Sequence, residues 1–345
     1  MSGRVNLKAL SREDLFRFIL ERGLPRFRAE QLLHWVYERY VADISGVTEF
    51  SKKLRDDLGA VAYLSCPEVA QRLTSRDGTE KFLFRLEDGE TIESVLIPDD
   101  KRLTLCISSQ AGCAMGCEFC LTGSHGLKRN LQAYEIVDQV LSVNRMIRMT
   151  EKGRGVTNIV LMGMGEPLAN LDAVAEALRR ITGLLGISKR RITLSTSGLA
   201  PKLAELASKA PDVNLAVSLN ASTDEVRSRI MPVNRKYPLR TLLDACRKFP
   251  LGPMRRITFE YVLIGGLNDS ESDARRLVGL VKGIRCKINL IPFNPHPGSA
   301  FTRPSEERVL AFQKVLVKHD LAALIRESKG QDILAACGQL RAAQP

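Results

Sequence analysis

Strand-like and helical segments alternate along most of the chain, and this alternation constrains the fold more than any other feature. The strand-like segments are short, apolar and rich in β-branched residues, and they span residues 157–162, 191–194, 215–219, 257–262 and 287–291. The helical segments around them span residues 134–149, 172–185, 201–209, 239–249 and 270–282. Such alternation is typical of βαβ units with a parallel sheet. It predicts an α/β fold built as a partial or full β/α (TIM-like) barrel, with its chemistry at the carboxyl ends of the strands.

The rest of the chain predicts smaller segments on either side of the barrel. Ser11 followed by Asp14 is typical of a helix start, and residues 27–40 and 50–58 continue a helical pattern. Turn signals at Asp77-Gly78 and Asp88-Gly89 flank a strand-like run. We therefore predict four segments: a small N-terminal helical accessory domain at 1–75, a β-rich extension at 76–98, the barrel at 99–330, and a C-terminal tail at 331–345.

The charge of the chain favours a polyanionic partner. The formal net charge is +12 and the sequence pI is about 9.4, a balance that is common in proteins that bind nucleic acid. A soluble protein with many Lys and Arg would look the same. Four basic clusters could form an RNA footprint, at residues 128–129, 189–191, 235–236 and 255–256. Without a long apolar run or a hydrophobic N-terminal segment, we expect no membrane partner and a cytoplasmic protein.

Cys113, Cys117 and Cys120 form the strongest chemical signal, a CxxxCxxC loop directly after a strand-like run. Clustered thiols in a reducing compartment indicate metal binding or catalysis. A structural zinc site needs four ligands, so a zinc loop would need a remote fourth ligand such as His125 or Cys106. Three thiolates on a cubane cluster would instead leave one iron open for substrate.

Polar and glycine-rich residues follow several of the predicted barrel strands. The turn Gly163-Met164-Gly165-Glu166 comes after the second strand, and Ser195, Ser218 and Asn294 each end a later one. A lone glycine-rich turn is weak evidence, since tight backbone packing also requires glycine. Each of the three polar residues, taken singly, is more typical of a cap or a turn.

Taken together, these motifs resemble one family, the RlmN/Cfr radical S-adenosylmethionine (SAM) methyltransferases. The resemblance runs from about residue 7 to residue 340. It includes the cysteine loop with Phe119 before its last Cys and the segments at 106–113, 162–168, 195–198, 291–295 and 332–340. It implies a 4Fe-4S cluster on Cys113, Cys117 and Cys120 whose open iron chelates SAM. One electron then cleaves SAM to a 5′-deoxyadenosyl radical.

The resemblance also implies a set of SAM contacts at the strand ends. They are Gly165, Glu166, Ser195, Ser218, Leu219, Asn220 and Asn294. At Asn220 the chain departs from the family, which often has His there. Asn still forms hydrogen bonds, so the departure puts only that one contact in doubt.

Three further residues acquire catalytic roles by the resemblance. The resemblance implies that the methyl acceptor is C2 of an adenine base. This carbon is electron-poor and has no lone pair to attack a methyl group, so a radical route is reasonable. By resemblance, Cys337 takes a methyl group from one SAM, and the radical from a second SAM abstracts a hydrogen from it. The methylene radical adds to the base as a protein–RNA crosslink. Cys106 then attacks the Cys337 sulfur, which forms a disulfide and releases the base, while Glu93 is the proton acceptor.

The residues alone leave other interpretations of these three positions open. Cys106 and Cys337 lie 231 positions apart, so spacing does not pair them. A lone Cys is commonly a small buried apolar residue, and we expect this of Cys66, Cys246 and Cys286. Glu93 taken alone is typical of a solvated strand residue.

The resemblance implies methylation of adenosine C2 in 23S rRNA and in tRNA just 3′ of the anticodon. The target base would have to leave its stack to reach a buried cluster, and an electron donor such as flavodoxin would be a partner. One alternative is Cfr-type methylation of C8 of an rRNA adenosine. A more distant alternative is a non-catalytic metal-binding RNA protein, which would need neither Cys106 nor Cys337.

Overall fold

The computed structural model describes residues 3–150 and 155–341, so residues 342–345 of the predicted tail lie outside the described residues. The strands in this part of the chain are β1 (Val5–Asn6), β2 (Ala62–Tyr63), β3 (Glu68–Thr74), β4 (Glu80–Arg85), β5 (Thr91–Asp99), β6 (Arg102–Cys106), β7 (Gln110–Gly112), β8 (Leu127–Asn130), β9 (Asn158–Leu161), β10 (Ile192–Thr196), β11 (Asn214–Ser218), β12 (Ile257–Leu263), β13 (Cys286–Pro292) and β14 (Ala323–Ile325). The α-helices are α1 (Arg12–Leu20), α2 (Phe27–Tyr37), α3 (Lys52–Val61), α4 (Leu121–Ser124), α5 (Ala133–Thr150), α6 (Leu171–Gly183), α7 (Ala200–Lys209), α8 (Asp224–Ile230), α9 (Val233–Lys236), α10 (Leu239–Lys248), α11 (Glu271–Val281) and α12 (Glu306–Lys318).

One large sheet organises the molecule. Its strand order is β14-β13-β12-β11-β10-β9-β6-β5-β4-β3. From β6 to β14 neighbouring strands are parallel, and β5, β4 and β3 continue antiparallel beyond β6. Because β14 and β6 are not neighbours, the parallel strands form an open barrel, and the predicted partial β/α barrel is confirmed.

The predicted elements lie close to the observed ones, with differences that have local causes. Ser11 caps α1 by accepting from the Asp14 amide (3.0 Å). The second helix ends at Tyr37 rather than residue 40, and Tyr40 adopts the left-handed conformation (φ 59°), which a helix cannot continue through. Helix α12, strand β14 and the β7–β8 hairpin were not predicted.

The helical N-terminal segment packs against the outer helices of the barrel. Arg180 of α6 donates to the carbonyl oxygens of Lys8 (2.6 Å) and Leu10 (3.0 Å). The Lys8 ammonium forms a buried ion pair with Asp138 of α5. The predicted division into four segments stays a prediction, and the sheet runs across its 75/76 boundary because β3 pairs with β4.

The described helices also bear on the expectation of no membrane partner. None of them combines the length and the apolar character that a bilayer span would require.

Candidate active site

The cysteine loop is held at its base by a small hairpin. Strand β7 pairs with β8, and the Cys113 amide donates to the Gly126 carbonyl (2.8 Å), so residues 113–126 project as a closed loop. Gly112 makes this closure possible: its φ is +78°, and a Cβ there would lie 2.0 Å from the Gly126 oxygen. The local sequence therefore fixes where the three thiols begin and end.

The three cysteines of this loop are largely withdrawn from water. Burial raises the pKa of Cys113 to about 12, and burial likewise raises the pKa values of Cys117 and Cys120. Such thiols stay protonated unless a strong positive charge, such as a metal centre, stabilises the thiolates. Among the described residues, no three His, Cys, Asp or Glu side chains are close enough together to hold one metal ion.

The glycine-rich turn after β9 packs directly on the chain that leads into the cysteine loop. A Cβ at Gly165 (φ +103°) would lie 2.6 Å from the Gln110 side chain, and one at Gly163 would lie 2.7 Å from the Ile107 carbonyl oxygen. The buried Glu166 carboxylate accepts from the amides of Leu168 (3.0 Å) and Ser197 (2.6 Å). Glu166 therefore ties the end of β9 to the end of β10.

A buried arginine that sequence reasoning missed fixes the ends of the next two strands. Arg227 of α8 donates to the carbonyl oxygens of Ser197 (2.8 Å), Ser218 (3.1 Å) and Leu219 (2.9 Å). Burial lowers the pKa of Arg227 to about 10, which leaves it charged at neutral pH. In the sequence, Arg227 appears only as one arginine in a short helix that follows the polar residues at the end of β11. That placement does not predict the three contacts.

One cavity brings most of the predicted cofactor residues together. It is lined by Cys113, Cys117, Cys120, Gly165, Glu166, Ser195, Ser218, Asn220, Asn294 and Cys337. Leu219 does not line it and is fully buried. Two further lining residues, Ser197 and Glu260, each carry a buried side-chain oxygen with no hydrogen-bond partner in the described part of the chain. Buried polar atoms normally have partners, and the amino, carboxylate and ribose groups of SAM would supply them.

Asn220, the departure from the family pattern, adopts a left-handed conformation (φ 58°) in which Asn is one of the favoured residues. Its side-chain oxygen accepts from the Val262 amide (2.9 Å), and its amide group contacts the Met231 sulfur (3.3 Å). The side chain therefore holds the turn after β11 against β12 as well as lining the cavity.

The described part of the C-terminal tail, residues 331–341, packs against the barrel. The Leu121 amide donates to Gly338 O (2.7 Å), and the Thr122 hydroxyl donates to Leu340 O (2.6 Å), so the tail lies on the cysteine loop. Asn294 donates to Cys337 O (3.3 Å). Cys337 is thereby held beside the cavity that contains the three loop cysteines.

A second cavity of about 480 Å³ extends from Cys337 into the barrel. It is lined by both Cys337 and Cys106, although the two are 231 positions apart in the chain. Arg326 borders both cavities. Burial, together with the nearby Cys337, raises the pKa of Cys106 to about 12, whereas Arg326 acts in the opposite direction. Both cysteines are free thiols here, so their disulfide stays a prediction.

The environments of Glu93 and Cys66 differ from what the sequence suggested. Glu93 is buried, forms an ion pair with Lys81 (3.1 Å) and accepts from the Arg341 amide of the tail (2.7 Å). It is not among the described residues that line the two cavities. Cys66, predicted to be buried, is exposed and contacts Arg145 (Nη1–Sγ 3.0 Å), whereas Cys246 and Cys286 are buried as predicted.

Comparison with known proteins identifies the family. Residues 107–278 match the model of the radical SAM superfamily, and residues 5–64 match that of the ribosomal RNA large subunit methyltransferase N-terminal domain. The dual-specificity RNA methyltransferase RlmN of Syntrophotalea carbinolica is 54% identical over 343 residues, covering 98% of this chain and 90% of the relative. The chain belongs to the RlmN family. The RlmN of Geobacter sulfurreducens is 52% identical, over 99% of this chain and 93% of its own length.

A solved structure of a radical SAM methyltransferase agrees with the fold. The radical SAM methyltransferase from Sphaerobacter thermophilus superimposes with a TM-score of 0.94 at 44% identity, covering 98% of this chain and 100% of that one. The predicted family, fold class and enzyme class are therefore confirmed. Membership of the radical SAM superfamily gives the cofactors, a 4Fe-4S cluster and SAM. The relatives' names favour the RlmN branch over the Cfr alternative and leave no support for a non-catalytic RNA protein.

Proposed function

We infer that this chain is a radical SAM methyltransferase that methylates adenosine in 23S rRNA and in tRNA. The observation that carries the inference is the meeting of Cys106 and Cys337 in one cavity, directly beside the cavity of the three loop cysteines. A protein that only held a metal would need neither residue. Family membership supplies the substrate class, because the relatives are dual-specificity RNA methyltransferases.

We assign the cofactor contacts to residues of the first cavity. Cys113, Cys117 and Cys120 hold the cluster, and Gly165, Glu166, Ser195, Ser218, Asn220 and Asn294 surround SAM. Leu219, which does not line this cavity, supports the strand end instead, since its amide donates to Glu260 O (2.9 Å). When bound, the cluster supplies the electron that cleaves SAM to a hydrogen-abstracting carbon radical. The apolar residues around Cys117, including Ile230, Met231 and Phe293, exclude water from this chemistry.

The chain's own reacting groups are Cys337, Cys106 and Glu93. Cys337 loses its proton, carries the methyl group as S-methylcysteine, and presents it to the base in the second cavity. One hydrogen atom of that methyl group would pass to the cofactor-derived radical, and the remaining methylene carbon would bond to adenine C2 and form the crosslink. The one electron that this adduct must lose would return to the cluster. Glu93 accepts the proton lost from C2. The Cys106 thiolate then attacks the Cys337 sulfur and breaks its bond to the methylene carbon, and that carbon takes up a proton, so that the disulfide forms as the methylated base leaves.

The Glu93 step requires a change in the contacts of its carboxylate. Its carboxylate is engaged by Lys81 and by the Arg341 amide, so one of these partners must give way before Glu93 can reach the base. The Arg341 contact belongs to the same tail that carries Cys337, and movement of the tail would release it.

The choice of C2 over C8 rests on the RlmN relatives, since both outcomes use the same cysteines. Nucleoside mass spectrometry on rRNA and tRNA from a deletion strain, with and without the restored gene, tests the choice. We expect 2-methyladenosine to reappear in both RNAs. Appearance of 8-methyladenosine in rRNA alone would overturn both the C2 assignment and the tRNA substrate.

Two cysteine variants test the assigned roles separately. Cys337→Ala should form no S-methylcysteine and no crosslink, whereas Cys106→Ala should accumulate RNA that is covalently attached to the protein. Cys246→Ala, a buried cysteine on α10, is the matched control and should behave as wild type. Protein from Cys106→Ala cells without attached RNA would remove Cys106 from its role.

We also propose that the protein works in the cytoplasm with a reduced electron donor such as flavodoxin. Reduced thiols at Cys106 and Cys337 are needed to begin each turnover, and a reducing compartment maintains them. Reconstitution of methylation with purified flavodoxin and its reductase, compared with a chemical reductant, tests the donor.

A further inference from the structure

Two basic clusters that are far apart in the sequence meet at the amino ends of the barrel strands. The turn Lys189–Arg191 leads directly into β10, and Arg256 directly precedes β12. Both strands pair with β11, so their amino ends lie about 10 Å apart. Lys287, near the start of β13, adds a further ammonium group to the same groove.

Most of the positive charge in this groove is not neutralised within the protein. In the part of the chain that the structure describes, Lys189, Arg190, Arg256 and Lys287 have no carboxylate within 4.0 Å. The one carboxylate among the described lining residues is Asp212, which pairs with Arg255 (3.2 Å). The groove therefore presents four uncompensated cations on its two sides.

Another basic cluster of the chain shows the opposite arrangement. Arg129 is bound by the carboxylates of Asp88 (2.5 Å) and Glu135 (2.7 Å), so its charge serves the structure of the β8 hairpin. Net charge alone does not separate these two kinds of cluster, but the ion pairs do.

The groove is continuous with the cavity of the reacting cysteines. Arg190 and Thr193 line both, and the cavity ends at Cys106 and Cys337. The interior of an ordinary β/α barrel is filled by branched apolar side chains. Here, polar residues at inward positions, including Thr104 and Asn158, leave the cavity of about 480 Å³, which is in the size range of ligand pockets.

We propose that Lys189, Arg190, Arg256 and Lys287 bind the RNA phosphates that flank the target nucleotide, while the nucleotide enters the barrel and reaches Cys337. The proposal rests on the proposed function, because it takes RNA as the substrate. An RNA strand that turns one nucleotide into the cavity would carry phosphates on both sides of the cavity mouth. The unpaired cations on both sides of the mouth are placed to bind these phosphates. The exposed Met254 on the groove (94% exposed) offers an apolar surface for a neighbouring base.

The test is RNA binding by the cluster-loaded protein, measured by fluorescence anisotropy with an anticodon stem-loop over a range of salt concentrations. Each lost phosphate contact should lower the slope of log affinity against log salt by about 0.7–0.9, which corresponds to about 5- to 8-fold weaker binding at 0.1 M salt. We expect this of Lys189→Gln, Arg256→Gln and Lys287→Gln. Arg256→Lys should restore most of the affinity, because lysine also binds phosphate as a point charge.

Lys318→Gln, which removes the same charge at the exposed end of α12, is the matched control and should bind RNA as wild type. SAM cleavage without RNA should be unchanged in all variants, which shows that the cofactor site is intact. If the groove variants bind RNA as Lys318→Gln does, the groove proposal is wrong. If wild type methylates no RNA, the proposed function itself fails. Selective loss of binding to poly-glutamate, with RNA affinity retained, would also overturn the proposal, since it would indicate an acidic protein partner.

Discussion

Replacing Gln339 with Met tests whether hydrogen bonds hold the tail in place. The buried Gln339 amide group donates to Pro295 O (2.7 Å) and accepts from the Ala336 amide (3.2 Å). Methionine fills a similar volume and forms neither bond, so the change removes polar partners with little change in packing.

The expected magnitude follows from the group that is left unpaired. Ala336 is buried (4% exposed), and a buried amide without a partner costs about 1–3 kcal/mol. The tail makes up a small part of the molecule, so this cost should fall on local opening of the tail rather than on global unfolding. The population of opened tails should therefore rise by about 5- to 150-fold.

Hydrogen–deuterium exchange of peptides that cover residues 330–341, read by mass spectrometry, measures this opening. The control is Gln313→Met, which removes a single hydrogen bond to Ala323 O (2.9 Å) between α12 and β14. We expect faster tail exchange in Gln339→Met alone, with the thermal midpoint nearly unchanged. If the tail of Gln339→Met exchanges as slowly as in wild type, or the control accelerates it equally, the tail is not held as we describe.

Three further changes have expected outcomes. Gly112→Ala should abolish iron binding, measured on anaerobically purified protein, because its Cβ would lie 2.0 Å from a carbonyl oxygen. The control Gly126→Ala (φ +70°, no atom within 4 Å) should keep the cluster and lower the free energy of unfolding by about 1–2 kcal/mol. Lys8→Met should lower the free energy of unfolding in urea by about 3–5 kcal/mol, since it leaves a buried carboxylate unpaired, whereas Lys209→Met at an exposed pair should change it little. Arg227→Lys should weaken SAM binding about tenfold or more by calorimetry with iron content unchanged, because one ammonium cannot reach both strand ends.

The barrel could be predicted from the sequence because its signals are local. Each parallel strand is a short apolar run, and each helix between strands has its own periodicity, so the order of elements gives the topology. Strand β14 was missed because it has only three residues, too few for a pattern. The β7–β8 hairpin was missed for the same reason, although Gly112 marks its edge. Helix α12 has 13 residues and a Ser305 cap, so the signal for it was present in the sequence and was overlooked.

Within the candidate site, too, residues that depend on local sequence could be predicted, and residues that depend on tertiary contacts could not. The spacing of Cys113, Cys117 and Cys120 is contained in one loop, and the family resemblance supplied their ligand role. The position of Glu260 could have been noticed as a lone acid within the apolar strand β12. The contacts of Arg227 could not have been predicted, because an arginine on a short helix can point toward several parts of the molecule. Only the packing of the folded chain directs it to the two strand ends.

The position of Cys337 depends on contacts that no stretch of sequence contains. The tail that carries it is bonded to the cysteine loop through Leu121 and Thr122, to the segment after β13 through Asn294, and to β5 through Glu93. These elements come from widely separated parts of the chain, and together they place one thiol at the boundary between two cavities. A methyl carrier needs this position, because it must face the cofactor when it is loaded and the base when it delivers. The same hydrogen bonds that locate Cys337 also occupy Glu93, so tail movement would change the access of both groups at once. The exchange rate of the tail should therefore vary with the turnover state of the enzyme, and it should differ between protein with a free Cys337 and protein with the S-methylated residue.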